Sequence, residues 1–250
     1  MSEISVCIPT YEYGGEGVTY LSKLLDSLRT QTFQEFDVVV SDHSKDDAIK
    51  NYLQTTDFDI IYIQNPNGRG YQASNTNCAL ENAEGRILKL IYQDDMFVDD
   101  EALQKIYDAF TPGIKWLFHG FTHTTDGYEF HRPCIPRWTS SMVVGDNLLG
   151  SPSCVSFLNG CYLGMDEELK LFIDTELYHR MRIEYGMPKF IEDVLIANRE
   201  HDNRVSSNSI EYDAILSRDG RQWMVNRREV DYIQDKHKQF FVTEKYPDEN

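Results

Sequence analysis

The first hundred residues of the chain alternate between short apolar runs and segments with helical spacing. The apolar runs read ISVCIPTY, FDVVVSDHS, FDIIYIQN and RILKLIYQDD. In the segment after the first run, EGVTYLSKLLDSLRTQ, the leucines at 21, 24, 25 and 28 are spaced as on one face of a helix. Helices are also predicted for residues 45–54 and for ASNTNCALENAEG. Strands that alternate with helices predict an α/β fold with a mostly parallel central sheet flanked by helices.

Polar residues follow each apolar run at the point where the predicted strand ends. They are Pro9, Thr10 and Tyr11 after the first run, Asp42 after the second, the NPNGRG loop after the third, and Asp94 with Asp95 after the fourth. In parallel α/β sheets, ligands bind at the carboxyl ends of the strands. We therefore expect these four sites to face one crevice.

The alternation becomes less regular after residue 100. A helix is predicted for EALQKIYDAF, a strand for IKWLFHGFTHT, an irregular segment for DGYEFHRPCIPRWTSSMVVGDN, a strand behind a tight turn for GSPSCVSFLNG, and a helix ended by Gly186 for DTELYHRMRIEYG. Since there is no internal repeat or linker, we predict one domain over residues 1–210, with halves of about 1–100 and 101–210. Residues 211–250 are predicted to form a helical extension packed on that domain.

The charge and apolar content of the chain limit its partners. Lys and Arg total 24 against 41 Asp and Glu, a net charge of −17, which disfavours nucleic acid and anionic membranes as general partners. No apolar run approaches the roughly 18–20 residues of a membrane span. The start, MSEISVCIPT, lacks the features of a signal peptide, so we expect a cytoplasmic protein. Five cysteines without C-x-x-C spacing predict reduced thiols.

The paired acids at the end of the fourth run have two interpretations. Asp94 and Asp95 could hold Mg²⁺ or Mn²⁺, because hard cations prefer carboxylate oxygens and substrate phosphates. They could equally be solvated turn residues, which is our prediction for Asp99 and Asp100. Asp42 also has two interpretations: it could accept hydrogen bonds from a nucleoside, or it could cap the next helix.

Three further segments carry polar residues with alternative roles. In NPNGRGYQASN, Arg69 could bind a phosphate and Asn75 lies at the start of a predicted helix. The alternative is that this segment is an ordinary surface loop without a ligand. Asp174 is either a helix N-cap or a general base. His201 could complete a metal shell, contact a diphosphate, or lie in a solvated loop.

Taken together, the motifs SVCIPTY, VVVSDHS, NPNGRGYQASN, ILKLIYQDD, GSPSCVSF, FIDTELYHRM and REHDNRVSS resemble, in this order, those of family 2 glycosyltransferases. These are inverting enzymes with the GT-A fold, a single Rossmann-like domain, and the resemblance covers about residues 4–208. It implies a nucleotide-sugar site formed by Pro9, Thr10, Tyr11, Glu12, Asp42, Asn67, Arg69, Asn75, Gln93 and Asp94.

The resemblance also assigns roles to the acids. It implies a metal site at Asp94, with Asp95 as a second contact and His201 as a candidate ligand. It implies that Asp174 is the general base. Residues on the acceptor side are then Ser151, Pro152, Ser153 and Glu176. The chain departs from the family pattern at Tyr92 and Ile173, where the family commonly has acids.

The function implied by the resemblance is transfer of a sugar from a nucleotide-diphosphate donor to a saccharide or lipid-linked acceptor. Mn²⁺ or Mg²⁺ would neutralise the leaving group while Asp174 deprotonates the acceptor hydroxyl. A lipid-linked acceptor would bring the chain, without a transmembrane segment of its own, to the inner face of a membrane. A homodimer is compatible with this function.

Two alternative functions compete with transfer. A sugar-nucleotide nucleotidyltransferase would need a basic glycine-rich loop after the first strand, but PTYEYGGEGV carries Glu12 and Glu16 and no Lys or Arg. A binding module that has lost catalysis is disfavoured because Asp94 and Asp174 are both present.

Overall fold

A computed structural model describes residues 2–68, 70–139, 142, 147–201, 213–216, 222–225 and 227–237. The strands are β1 Ile4–Thr10, β2 Phe36–Asp42, β3 Ile60–Gln64, β4 Ile87–Leu90, β5 Met96–Phe97, β6 Trp116–Thr124, β7 His131–Cys134, β8 Val155–Leu158, β9 Lys189–Arg199, β10 Asp213–Leu216 and β11 Gln222–Val225. The helices are α1 Glu16–Arg29, α2 Ala48–Leu53, α3 Gln72–Glu81, α4 Ala102–Ala109, α5 Ile173–Tyr185 and α6 Arg227–Lys236.

One sheet runs through the fold in the order β3-β2-β1-β4-β8-β6-β9-β5, and β7 pairs with β6. Strands β3, β2, β1 and β4 are all parallel, as are β6 and β9. Strands β8, β5 and β7 are antiparallel to their neighbours. The predicted α/β fold with a mostly parallel sheet is confirmed, and the antiparallel strands are an addition in its second half.

The core forms where the sequence pattern predicts it. All seven residues of β1 are buried, because this strand lies in the middle of the sheet and is covered on both faces. In α1, the leucines at positions 21, 24, 25 and 28 are buried. The spacing in the sequence therefore identified the face of α1 that packs on the sheet.

Strand β9 was not predicted from the sequence, although it pairs with β6 along most of its length. Its burial is continuous only near its carboxyl end, at Leu195, Ile196 and Ala197. Glu192 and Asp193 interrupt the apolar pattern earlier in the strand, where the register with β6 also shifts. Because only a short buried stretch follows these exposed acids, the segment does not show the alternation of apolar and polar residues that predicts a strand.

The region after residue 210 differs in part from the helical extension predicted for 211–250. Helix α6 lies within it, but β10 and β11 precede that helix as an antiparallel pair. The segment predicted to be irregular also contains β7. Strands of four residues are too short to show a period that could be recognised in the sequence.

All five cysteines are free thiols, and those at positions 7, 154 and 161 are buried. Among the described residues, no helix combines the length and the apolar character needed to cross a membrane.

Candidate active site

A cavity of about 880 Å³ opens at the carboxyl ends of β1, β2 and β4. A concave site of this volume suits a small-molecule ligand. The structure brings the following predicted residues together in its lining: Pro9, Thr10, Tyr11, Asn75, Gln93, Asp94, Asp95, Ser151, Pro152, Asp174 and His201. Five other predicted residues lie outside the lining: Glu12, Asp42, Asn67, Ser153 and Glu176. Arg69 lies outside the described residues.

Asp94 and His201 meet at the cavity wall. Oδ2 of Asp94 lies 2.9 Å from Nε2 of His201, and the imidazole stacks on Tyr13 with ring centroids 6.2 Å apart. A carboxylate oxygen and an imidazole nitrogen this close can turn toward one cation. No cluster of three or more metal-binding side chains is found among the described residues. Carboxylate oxygen and imidazole nitrogen are ligand types that divalent cations accept, and the predicted metal site at Asp94 and His201 stays a prediction.

Asp95 lies behind Asp94 and is 5% exposed. Burial raises the pKa of Asp95, and the neighbouring charge of Asp94 raises it further. Its Oδ1 accepts a hydrogen bond of 3.0 Å from the backbone N–H of Arg199. The Arg199 guanidinium in turn donates through Nε to the carbonyl oxygen of Asp94 at 3.0 Å. These bonds tie the turn after β4 to the end of β9 and hold the backbone at Asp94 in place.

Glu12 and Asp42 were predicted to contact the nucleoside, but their carboxylates bind the protein itself. Glu12 accepts hydrogen bonds from the backbone N–H of Gly15 at 2.6 Å and of Val18 at 3.0 Å, so it caps the first turn of α1. Asp42 accepts from the N–H of Ser44 at 2.8 Å and from the hydroxyl of Tyr62 at 2.9 Å. Glu12 thus stabilises the start of α1 and Asp42 the end of β2, and both lie outside the cavity lining.

Gln93 and Asn75 line the cavity and also hold its walls in place. The Gln93 amide pairs with the backbone of Tyr11, accepting from its N–H at 2.9 Å and donating to its oxygen at 2.7 Å. The Asn75 amide donates to the oxygen of Thr10 at 2.9 Å and accepts from the hydroxyl of Ser41 at 2.7 Å. These side chains hold the end of β1 in place. The predicted contact of Gln93 and Asn75 with the nucleotide sugar stays a prediction.

The loop after β3 contacts the cavity lining through the backbone of Asn67. The oxygen of Asn67 lies 2.8 Å from Nε2 of His43, a cavity residue. Asn67 thus contacts a residue of the cavity lining, and its predicted place in the nucleotide-sugar site stays a prediction.

The tight turn predicted at GSPS is present before β8. Gly150 has φ +89°, and a Cβ there would lie 2.6 Å from the ring of Phe121, so the turn requires glycine. Ser151 and Pro152 line the cavity. Ser153 is fully buried, and its hydroxyl accepts a hydrogen bond of 2.9 Å from the backbone N–H of Tyr92. Ser153 therefore supports the wall, and its predicted place on the acceptor side stays a prediction.

Asp174 faces the cavity from the first turn of α5. Its carboxylate accepts hydrogen bonds from the N–H of Thr175 at 2.8 Å and from the Asn147 amide at 3.1 Å. Burial outweighs these bonds and raises the pKa of Asp174 to about 6. The N-cap of α5 is Phe172, so Asp174 is not the cap. An acid that ionises near neutral pH is a stronger base than an ordinary aspartate.

Glu176 was predicted on the acceptor side, but it is fully buried on the opposite face of α5 from Asp174. It binds the guanidinium of Arg180 at 2.8 Å, Nζ of Lys236 at 3.0 Å and Nε2 of His237 at 2.8 Å. Burial alone would raise the pKa of Glu176, yet hydrogen bonds from His237 and Arg180 lower it to about 2. Its role is to join α5 to the C-terminal residues.

Sequence reasoning missed several residues of the lining, namely His43, Tyr71, His123, Lys170 and Arg199. His43 directly follows Asp42 at a strand end, and this position was a usable signal. Arg199 could not be found because it ends β9, a strand that the pattern did not reveal. Lys170 lies 5.4 Å from the ring of Tyr71 across the cavity, and nothing in the local sequence indicates this pairing.

The sequence profile described as Glycosyl transferase family 2 matches residues 5–131, just over half of the chain. The chain is 29% identical over 121 residues to GalNAc(5)-diNAcBac-PP-undecaprenol beta-1,3-glucosyltransferase of Campylobacter jejuni, covering 47% of this chain and 38% of that protein. It is 30% identical over 135 residues to Glycosyltransferase GlyA of Streptococcus pneumoniae, covering 52% of this chain and 18% of that protein. The chain thus matches well under half the length of these relatives.

Solved structures share the fold at lower identity. S. aureus TarS 1-349 in complex with UDP-GlcNAc has a TM-score of 0.61 at 20% identity, covering 85% of this chain and 62% of that one. The mannosyltransferase PcManGT from Pyrobaculum calidifontis, in complex with GDP-Man and Mn2+, has a TM-score of 0.58 at 16% identity, covering 80% and 58%. These likenesses concern the fold alone and confirm the GT-A architecture expected from the sequence.

The buried ion cluster around Glu176 yields a stability prediction. We expect Glu176→Gln to lower the free energy of unfolding by about 3 kcal/mol, because Arg180 and Lys236 lose a buried partner. Urea unfolding measures this loss, with the exposed Glu168→Gln as the control. Binding of UDP or GDP should be unchanged where both proteins are folded, since Glu176 lies outside the cavity lining. A variant as stable as the wild type would contradict a structural role for Glu176.

The raised pKa of Asp174 predicts a pH-dependent stability difference. The folded protein holds this proton more tightly than the unfolded chain, whose ordinary value is 3.8, so the contribution of Asp174 to stability falls as pH rises from 3.8 to about 6. We expect Asp174→Asn to gain about 1–3 kcal/mol relative to wild type across this window. Urea unfolding between about pH 4 and pH 8, with exposed Glu184→Gln as the control, measures the gain. A difference that is independent of pH would contradict the shift.

Proposed function

Since this chain belongs to glycosyl transferase family 2, we propose that it transfers a sugar from a nucleotide-diphosphate sugar to an acceptor hydroxyl with inversion at the anomeric carbon. The observation that carries the proposal is that one cavity contains both the Asp94–His201 pair and a carboxylate of raised pKa, Asp174. Displacement of a diphosphate by a hydroxyl needs charge neutralisation at the leaving group and a base at the nucleophile. Asp94 and Asp174 offer these two functions.

The donor would lie along the ends of β1 and β4. Asp94 and His201 would hold Mg²⁺ or Mn²⁺ in contact with the diphosphate, and the bound cation would stabilise the charge that develops on the departing group. Tyr11, which is 36% exposed, lines the cavity, and its ring suits stacking on a nucleobase. Arg199 adds positive charge to the lining beside Asp94. This arrangement supports a nucleoside diphosphate as the group that the donor side recognises.

The acceptor would approach from the side of Asp174. The carboxylate removes the proton of the acceptor hydroxyl while its oxygen forms a bond to C1 of the sugar. The bond from C1 to the diphosphate oxygen breaks with its electron pair on the leaving group. Attack opposite that bond inverts the anomeric centre. Asp174 is mostly ionised at neutral pH, because its pKa of about 6 is below neutrality.

The acceptor in this proposal is a saccharide, free or linked to a lipid carrier. The Campylobacter jejuni relative is named for an undecaprenol-linked saccharide, which supports a lipid-linked acceptor. Such an acceptor would bring a cytoplasmic enzyme into peripheral contact with the inner face of a membrane. Ser151 and Pro152 are the acceptor-side residues that line the cavity.

The base assignment predicts a loss of turnover without a loss of binding. With a panel of UDP-Glc, UDP-GlcNAc, UDP-Gal and GDP-Man plus Mn²⁺, we expect Asp174→Asn to reduce release of nucleoside diphosphate by about 10²–10⁴-fold. Calorimetric binding of UDP or GDP should be unchanged. In the wild type, the acid limb of the pH–rate profile should have an apparent pKa of about 6. Glu184→Gln, on the same helix, is the control, and normal turnover by Asp174→Asn would refute the assignment.

The metal assignment predicts a loss of the metal effect on binding. Titration with UDP or GDP in Mn²⁺ and in EDTA should show tighter binding with the metal in the wild type. In Asp94→Asn this difference should fall by at least about tenfold, because one carboxylate ligand is lost. His201→Gln should weaken it less, and the exposed Asp100→Asn should leave it unchanged. If Asp94→Asn responds to Mn²⁺ like the wild type, Asp94 is not a ligand.

A further inference from the structure

The C-terminal helix α6 holds the backbone of the segment that leads into Asp174. Glu229, on α6, is 7% exposed. Its carboxylate accepts hydrogen bonds from three consecutive backbone N–H groups, those of Lys170 at 2.9 Å, Leu171 at 3.0 Å and Phe172 at 3.0 Å. Helix α5 begins at the next residue. One carboxylate therefore fixes the entry into the helix that carries the proposed base.

The far end of α6 contacts α5 beyond Asp174. Lys236 and His237 lie 3.0 and 2.8 Å from Oε1 of Glu176. Ile233, between the two contact points on α6, is fully buried. Helix α6 thus binds the chain both before Asp174, through Glu229, and after it, through Glu176.

The chemistry of the Glu229 contact makes it specific for a carboxylate. The amides of residues 170–172 precede the helix and have no partner within it. An ionised acceptor forms stronger hydrogen bonds to such amides than a neutral one, and a nearly buried carboxylate needs several of them. An amide side chain in its place would present an N–H₂ group toward at least one of these donors. The contact therefore depends on the charge and on both oxygens of Glu229.

We propose that Glu229 is a positioning residue for the transfer reaction: it holds residues 170–172 and thereby places Asp174 and Lys170 at the cavity wall. This inference rests on the proposed role of Asp174. Lys170 and Leu171 themselves line the cavity, so a shift of this segment alters its shape as well as the place of the base. Helix α6 lies beyond residues 5–131, the part that matches the family profile, yet it supports the acceptor half of the site.

The test compares Glu229→Gln with the wild type in two measurements. Hydrogen exchange read by mass spectrometry should show amides 170–172 exchanging at least about tenfold faster in the variant, because charge-assisted bonds are lost. Release of nucleoside diphosphate from the sugar-nucleotide panel with Mn²⁺ should fall about 10–100-fold in kcat, because the base is misplaced. Calorimetric binding of UDP or GDP should not change, since the donor side is formed by β1 and β4.

Two control variants separate positioning from stability. Asp231→Asn removes an exposed charge from the same helix and should behave like the wild type. Ile233→Val weakens the packing of α6 without touching the carboxylate, and it should lower Tm while retaining kcat.

The inference is overturned if exchange of amides 170–172 is unchanged in Glu229→Gln, whatever the activity. It is also overturned if exchange rises but kcat stays at the wild-type level, or if Ile233→Val loses kcat to the same extent. If the wild type itself releases no nucleoside diphosphate from any donor, the proposed function fails, and with it the role of Glu229 in transfer. Faster exchange would then show only a structural contact.

Discussion

The parallel pairing of β1 with both β2 and β4 is the constraint on which the site depends. Because the three strands run in one direction, their carboxyl ends lie at the same edge of the sheet. Thr10 pairs directly with Asp42 in this register, and the chain beyond β4 reaches the same edge at Asp94. All residues of β1 are buried. A slip of one residue would turn every side chain of this strand to the opposite face of the sheet, where it would not fit the existing packing, so the register is strongly fixed.

The chain is acidic, and its carboxylates differ in whether they bind other groups of the protein or face the cavity. Glu12, Glu176 and Glu229 are satisfied by backbone amides or by partly exposed cations. Such partners fix the side chain, so these acids serve the fold. Asp94 and Asp174 instead face the cavity, and Asp174 combines partial satisfaction with burial that raises its pKa. The partners of each carboxylate therefore indicate which acids are available for chemistry.

The second half of the chain supplies its part of the site through contacts that are distant in sequence. Arg199 reaches Asp94 and Asp95 from β9, and Glu229 reaches the entry to α5 from the C-terminal helix. The site thus depends on two connections, one between β9 and the turn after β4 and one between α6 and the entry to α5. A site assembled in this way links the geometry of the acceptor side to residues that never touch a substrate.

The sequence by itself determined the α/β class, the first four strands, the helices that cover them, and the crevice at their ends. It could do so because apolar periodicity is a local property and parallel strands end at a common edge. The pairing of Asp94 with His201 across the chain, the withdrawal of Glu12, Asp42 and Glu176 from the cavity, and the existence of β9 were decided only by the tertiary structure. The physical reason is that a carboxylate has the same sequence signature whether it faces a backbone amide or an open cavity. Only the fold determines which donors lie within hydrogen-bonding distance.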